Sequence, residues 1–153
     1  MIESSQSQFN NIDQLQHQFR DRGWMVVKLP NPEPIYAARE ALLRELQTIT
    51  ENEKITLEKY HEFIEDDSTH IDLQYKLAQF LWNGGWGHKI IAAQLDLFVA
   101  FLGQDLNIQS KPHLRIARPH KPQDNVGYHR DTYYGGSPFE LSVLVPYVDA
   151  IDV

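Results

Sequence analysis

The chain has 153 residues, a formal net charge of -7 at pH 7 and no cysteine. The length suits one domain or part of one, and the acidic balance lacks the basic face expected of a nucleic-acid-binding protein. Without cysteine there is no disulfide scaffold, no thiolate zinc site and no cysteine nucleophile, so any metal must be held by histidine and carboxylate side chains.

The composition of the first residues predicts a cytoplasmic protein. No lysine or arginine precedes Arg20, whereas a secretory signal has a basic start followed by an apolar run. The longest unbroken apolar stretch covers residues 97–102, far short of the roughly 20 residues that span a bilayer. We therefore expect neither a membrane nor a nucleic acid as a partner.

The first hundred residues are predicted to be mainly helical after a disordered tail at residues 1–10, which is rich in serine, glutamine and asparagine. Apolar residues recur at helical spacing from Ile12 to Phe19, and Gly23 is a typical helix end. Asn31 can cap a second helix that has prolines in its first turn. The apolar face of this second helix comprises Ile35, Ala38, Leu42, Leu46 and Ile49.

Three more helices are predicted before the sequence changes from helical spacing to strand-like alternation. A short one covers residues 57–64, and a longer one begins with Ser68 or Thr69 as its cap and ends at Trp82. The third covers residues 88–102 and has an apolar stripe at helical spacing, formed by Ile91, Leu95, Phe98 and Leu102.

Strands are predicted where apolar and polar residues alternate or where a short run is rich in valine. Residues 24–29 form such a run. Residues 113–117 alternate, and a polar loop at 120–126 follows them. The last strand, residues 139–148, places on one face Phe139, Leu141, Val143, Val145 and Tyr147.

His129 and Asp131 are the residues that best indicate chemistry. In an extended segment, residues i and i+2 point the same way and lie about 7 Å apart. An imidazole and a carboxylate in that arrangement can bind one metal ion. Non-haem iron oxygenases use this donor chemistry, because two histidines and one carboxylate hold Fe(II) on one face of an octahedron.

The spacing alone is weak evidence, because His70 and Asp72 have it too. These two residues lie at the start of a predicted helix. Positions i and i+2 of a helix are about 200° apart around its axis, so their side chains cannot bind the same ion. We interpret them as surface residues of the first helical turn. The strand-like segments around His129 and Asp131 distinguish this pair from His70 and Asp72.

Residues 113–119, 127–134 and 141–149 together resemble the phytanoyl-CoA dioxygenase-like family of Fe(II)- and 2-oxoglutarate-dependent oxygenases. The resemblance implies an α+β fold in which helices pack on an incomplete double-stranded β-helix, or jelly-roll, core. Residues 11–153 would be the N-terminal part of one oxygenase domain, helical to about residue 110 and β-rich over 111–153. Fe(II) would be the metal and 2-oxoglutarate the co-substrate.

The same resemblance assigns roles to single residues. The first metal-binding histidine of the family and its aspartate correspond to His129 and Asp131. The family places a second histidine and then an arginine further downstream, but no histidine, lysine or arginine follows Asp131 in this sequence. We therefore expect a truncated chain that is inactive by itself. The implied reaction is hydroxylation of a small organic or lipid-like substrate by O2, coupled to oxidative decarboxylation of 2-oxoglutarate.

Other residues are candidates for binding the co-substrate or the substrate, but each also has a purely structural interpretation. Arg115 and Arg118 could bind the carboxylates of 2-oxoglutarate, because a guanidinium matches a carboxylate bidentately, or they could lie on an exposed strand face and at a strand end. Tyr128, Tyr133 and Tyr134 could border a substrate pocket, or they could pack within a turn.

Two other functions compete with the oxygenase. A zinc hydrolase would need a site such as His113, His120 and His129, but no zinc-binding spacing supports it. The alternative from another class is a non-catalytic remnant that binds a ligand or a partner through its helical half.

Overall fold

The computed structural model describes residues 12–127, 129, 136 and 140–149, and helices dominate this part of the chain. One turn of 3-10 helix covers Pro122–Asp124. None of the helices described here is long and apolar enough to cross a membrane. In chain order the α-helices are α1 (Ile12–Arg22), α2 (Glu33–Thr50), α3 (Tyr60–Phe63), α4 (Asp67–Asn83), α5 (Trp86–Ala92) and α6 (Leu95–Leu102).

The core lies where α2, α4 and α5 pack on one another. The side chains buried there come from α2, α4 and the connection between them, and each large aliphatic one contributes about 1.5–3 kcal/mol by leaving water. The apolar face predicted for the second helix is confirmed, since Ala38, Leu42 and Leu46 are buried. The buried cluster comprises Leu42, Leu46, Ile55, Tyr60, Ile64, Leu73, Leu77 and Leu81.

The first helix ends as the sequence predicts. The chain leaves α1 at Gly23 with a φ of +76°, a left-handed conformation that glycine adopts without steric cost. The Gly23 amide donates a hydrogen bond to the Phe19 carbonyl at 2.8 Å. The Phe19 ring meets the ring of Phe101 edge to face, with 5.5 Å between centroids, and so joins α1 to α6.

The helix predicted over residues 88–102 is two helices, α5 and α6, with a turn between them. The predicted apolar stripe is wrong, because Leu95 is 46% exposed whereas Ile90 is buried. Gln94 lies at the break: its buried side chain accepts a hydrogen bond from the Asn31 amide at 3.1 Å and donates one to the Asn31 carbonyl. Asn31 is therefore held by this contact and does not cap α2, whose N-cap residue is Pro32.

The predicted jelly-roll core is wrong for the described part of the chain, which contains no β-strand. Residues 24–29, 113–117 and 140–148 have no regular secondary structure, and Phe139 lies outside the described residues. Val26 in the first segment is 82% exposed and Leu144 in the last is 92% exposed. A strand needs a neighbouring backbone to pair with, and none of these segments has one in this part of the structure.

Side chains take the place of a neighbouring strand along residues 112–118. The Trp82 indole donates to the Pro112 carbonyl at 2.7 Å, and the Gln74 amide oxygen accepts from the Ile116 amide at 2.8 Å. The segment also lies close against α5, since a Cβ on Gly87 would be 2.7 Å from the Pro112 ring. Alternation in the sequence therefore reports burial of one face on helices, not pairing in a sheet.

Replacing Leu46 by alanine tests where the core lies. Leu46 is fully buried, so we expect Leu46→Ala to lower the free energy of unfolding by about 2–5 kcal/mol. Chemical denaturation followed by circular dichroism measures the change. The matched control is Leu95→Ala, also in a helix but 46% exposed. Equal losses in the two variants would contradict this placement of the core.

Candidate functional site

The side chain of Arg118 is almost fully buried, with 4% of the residue exposed, and it pairs with two carboxylates. Its Nε and Nη2 atoms donate hydrogen bonds to the two oxygens of Asp124 at 2.7 and 2.9 Å. Nη2 also donates to Asp67 at 2.8 Å. Bidentate pairing of this kind is among the strongest polar contacts in proteins, and it ties the 3-10 turn to the start of α4.

The same guanidinium holds the end of the connection between α3 and α4. Its Nη1 atom donates to the Glu65 carbonyl at 2.9 Å and makes longer contacts with the carbonyls of Ile64 and Asp66 at 3.4 and 3.5 Å. Every nitrogen of the guanidinium therefore has an acceptor. A buried cation is tolerated when it is paired and hydrogen-bonded in this way.

The charges of the cluster stabilise one another. The hydrogen bonds from Arg118 hold the pKa of Asp124 well below its usual range, and Asp124 in turn raises the pKa of Arg118. Hydrogen bonds from Arg118 and Gln123 lower the pKa of Asp67. Lys121 lies 3.3 Å from the same carboxylate. The two acids are thus ionised and compensated.

His70 lies beside this cluster and is buried, with 4% exposed. Its Nδ1 atom is 3.1 Å from the Tyr60 hydroxyl, and its Nε2 atom is 3.6 Å from an oxygen of Asp124. A lone pair on Nε2 would face the carboxylate unfavourably, so the tyrosine donates to Nδ1 and the ring proton sits on Nε2. Burial, then the positive charge of Arg118, lowers the pKa of His70. Burial raises the pKa of Tyr60 to about 12.

The interpretation of His70 as a surface residue is wrong, because His70 lies three positions before the buried Leu73, on the inward face of α4. Asp66, not Ser68 or Thr69, caps α4, and its side chain accepts from the Thr69 amide at 2.8 Å. Asp72 is exposed, as expected, and pairs with Lys76 at 2.7 Å.

A cleft of about 360 Å³ opens over this cluster, between α4 and residues 112–118. Arg118, Asp124 and His70 form its buried floor, with side chains already paired to one another. Its more exposed lining includes Ile71, Gln74, His113 and Arg115.

His129 is exposed, and its Nδ1 atom lies 2.8 Å from the Gly127 carbonyl oxygen. Its predicted metal partner Asp131 lies outside the described residues, and so do Tyr128, Tyr133 and Tyr134. Within residues 12–127, 129, 136 and 140–149, no group of three or more histidine, aspartate or glutamate side chains could hold a metal ion.

The two arginines predicted to bind a co-substrate lie in different surroundings. Arg115 is exposed at the cleft, where its predicted role stays a prediction. Arg118 is not at an exposed strand end, as the plainer alternative held, but inside the cluster. The alternation of apolar and polar residues indicates that Arg118 is buried, because Arg118 falls on the same face as the inward-pointing Leu114 and Ile116.

Comparison of the chain with protein-family models, with curated proteins and with solved structures found no match. Any function must therefore be inferred from the residues of this chain.

Removal of the buried cation should be more damaging than removal of the whole ion pair. We expect Arg118→Met to lower the free energy of unfolding by about 3–5 kcal/mol, because Asp124 is left buried and unpaired. The double variant Arg118→Met with Asp124→Leu should be more stable than the single variant. Denaturant titration at pH 7 measures all three proteins.

The control for that comparison is Arg44→Met, since the Arg44 side chain is 73% exposed and its ion pair with Glu40 is an exposed i,i+4 pair. Its expected change is under about 0.5 kcal/mol. A double variant less stable than Arg118→Met alone would show that the two side chains do not act as a pair.

His70 should make the protein less stable below neutral pH. The unfolded chain takes up a proton at a histidine pKa of about 6.5, whereas the folded pKa of His70 is lower. The unfolded state therefore binds more protons as the pH falls through 6.5, and the free energy of unfolding decreases. Denaturation at pH 7.5, 6.5 and 5.5 measures this dependence.

The variant His70→Gln should lose most of that dependence between pH 7.5 and 5.5. His17→Gln is the control, because the His17 side chain is 78% exposed, and it should keep the parental slope. The same slope in both variants would rule out His70 as its source.

Proposed function

We propose that this chain carries part of the metal site of an Fe(II)- and 2-oxoglutarate-dependent dioxygenase that acts on a small organic or lipid-like substrate. The supporting observation is the hydrogen bond between His129 Nδ1 and the Gly127 carbonyl oxygen, 2.8 Å long. A carbonyl oxygen only accepts, so Nδ1 carries the proton and the lone pair of the neutral ring is on Nε2. Metal-binding histidines commonly have this arrangement, which sets the tautomer and orients the ring.

The donor types suit Fe(II), but their number falls short. His129 supplies an imidazole nitrogen, and Asp131, two positions further, supplies carboxylate oxygens. The facial arrangement of non-haem iron enzymes uses two histidines and one carboxylate, so this pair is one donor short. Bound with 2-oxoglutarate, Fe(II) would supply the activation of O2.

The residues before His129 act as a support for it. Asp124 is held by the buried guanidinium of Arg118 and also accepts a hydrogen bond from the Arg118 amide at 3.0 Å. Five residue steps separate Asp124 from His129, which limits their separation to about 18 Å. The buried ion pair thus fixes the point from which the chain continues to His129. Such an enzyme would act in the cytoplasm, as the sequence predicts.

Metal binding by the chain itself tests the proposal, with Co(II) as a spectroscopic substitute for Fe(II). We expect His129→Ala and Asp131→Ala each to weaken Co(II) binding by at least about tenfold, since each removes a donor atom. Calorimetry measures the affinity, and the visible absorption of Co(II) reports changes in its ligands.

His88→Ala is the matched control, because His88 is an exposed histidine on α5, and it should bind Co(II) as the parent does. The proposal fails if His129→Ala and Asp131→Ala bind Co(II) as tightly as His88→Ala. That result would favour the non-catalytic alternative, a module that binds a ligand through its helical half.

A further inference from the structure

His70 is a buried histidine on α4 that the proposed metal site does not use. Ionisable groups surround it from its own helix, from α3 and from residues 112–124. Those that contact the ring or act on its charge are Tyr60, Asp67, Arg118 and Asp124. His113 and Arg115 line the same cleft as His70 but are exposed.

The hydrogen bond between His70 and Tyr60 suits a neutral ring. The tyrosine hydroxyl donates to Nδ1 over 3.1 Å, and a proton on Nδ1 would turn the hydroxyl into the acceptor. Tyr60 is 4% exposed, and among the residues that the structure describes its hydroxyl has no other hydrogen-bond partner. Protonation of His70 therefore leaves the hydroxyl hydrogen of Tyr60 buried without an acceptor, which is costly.

The charged groups next to His70 are already balanced. Arg118 and Lys121 are positive, and their partners Asp67 and Asp124 are negative. Asp124, the carboxylate nearest the ring, is engaged by Arg118. An imidazolium at His70 therefore adds a further positive charge at a buried position, where a charge needs a partner of its own. Burial and the nearby guanidinium accordingly lower the pKa of His70.

Residues 118–127, the ion-pair loop, are attached to α4 by polar contacts. Within this loop, all of which the structure describes, only Arg118 is buried. Lys121 and Gln123 add contacts of 3.3 and 3.1 Å to the Asp67 carboxylate. The loop can therefore separate from α4 without exposing apolar core, and its separation brings water to His70.

We propose that protonation of His70 releases the ion-pair loop from α4, so that the protein responds to mild acid by a local change. Arg118 and Asp124 are six positions apart within the loop, so they move away together and remain paired. The imidazolium of His70 then replaces Arg118 as the partner of Asp67, which lies three positions earlier on the same helix. Neither proposed metal ligand takes part, so this device does not rest on the proposed dioxygenase function.

A nitroxide spin label on the variant Asn125→Cys tests the proposal. Asn125 is an exposed residue of the loop, and the chain has no other cysteine. Continuous-wave electron paramagnetic resonance at pH 7.5, 6.5 and 5.5 measures the mobile fraction of the label. We expect the ratio of released to attached loop to rise by up to about tenfold per pH unit below about pH 6.5, because release is coupled to one proton. Far-ultraviolet circular dichroism should stay constant, because the helical core remains folded.

Three further variants, each carrying the same label, identify the group that takes up the proton. His70→Gln should lose the pH dependence, because glutamine forms hydrogen bonds but does not take up the proton. His113→Gln is the matched control, an exposed histidine on the same cleft, and should keep the parental pH dependence. Gln123→Ala removes one contact of the loop with Asp67 and should raise the mobile fraction at every pH.

The proposal is overturned if the label stays immobile at pH 5.5 in the parent, or if His70→Gln keeps the parental pH dependence. Loss of the helical circular dichroism signal together with the gain in mobility would also overturn it, because acid would then unfold the whole chain. If His70→Gln does not fold, Gln123→Ala decides the question, and a mobile fraction equal to that of the parent would contradict release of the loop from α4.

Discussion

The buried guanidinium of Arg118 is the contact on which the arrangement of the candidate site depends. It joins three parts of the chain: the carbonyls that end the connection before α4, the Asp67 carboxylate in the first turn of that helix, and Asp124 in the 3-10 turn. Because a buried charge is costly without partners, the three parts must be together for the fold to tolerate Arg118. The floor of the cleft and the position from which the chain continues to His129 follow from this one requirement.

The helical half was predictable because its signals are local. The apolar spacing of α2 and the glycine after α1 act within a few residues, and both predictions are confirmed. The strand predictions were wrong because alternation of apolar and polar residues indicates only that one face of a segment is buried. Here the burying surface is helical, and the backbone of residues 112–118 is satisfied by side chains such as Gln74. The predicted last helix is interrupted at Gln94, whose side chain has a partner sixty-three positions away in the chain, a contact that no local pattern can report.

The candidate site was predictable only in part. His129 and Asp131 came from spacing and resemblance, and only His129 lies among the described residues. The cluster around Arg118 was missed because arginine on an alternating segment is usually exposed. Arg118 is nevertheless two positions after Ile116, so the alternation places its side chain on the same inward face. His70 was missed because a polar side chain near a helix start is usually exposed, although its spacing to Leu73 and Leu77 places it on the buried face of α4.

The sequence separation of the Arg118 contacts has a consequence for the kinetics of folding. The guanidinium reaches partners 51 to 54 positions earlier in the chain, whereas the contacts between α4 and α5 are local. Closing so long a loop costs chain entropy before any contact compensates for it. The helices can therefore associate first, with the ionic contact forming after the rate-limiting barrier. An interaction absent from the transition state acts on the unfolding rate, so we infer that Arg118 affects how long the native chain persists more than how fast it forms.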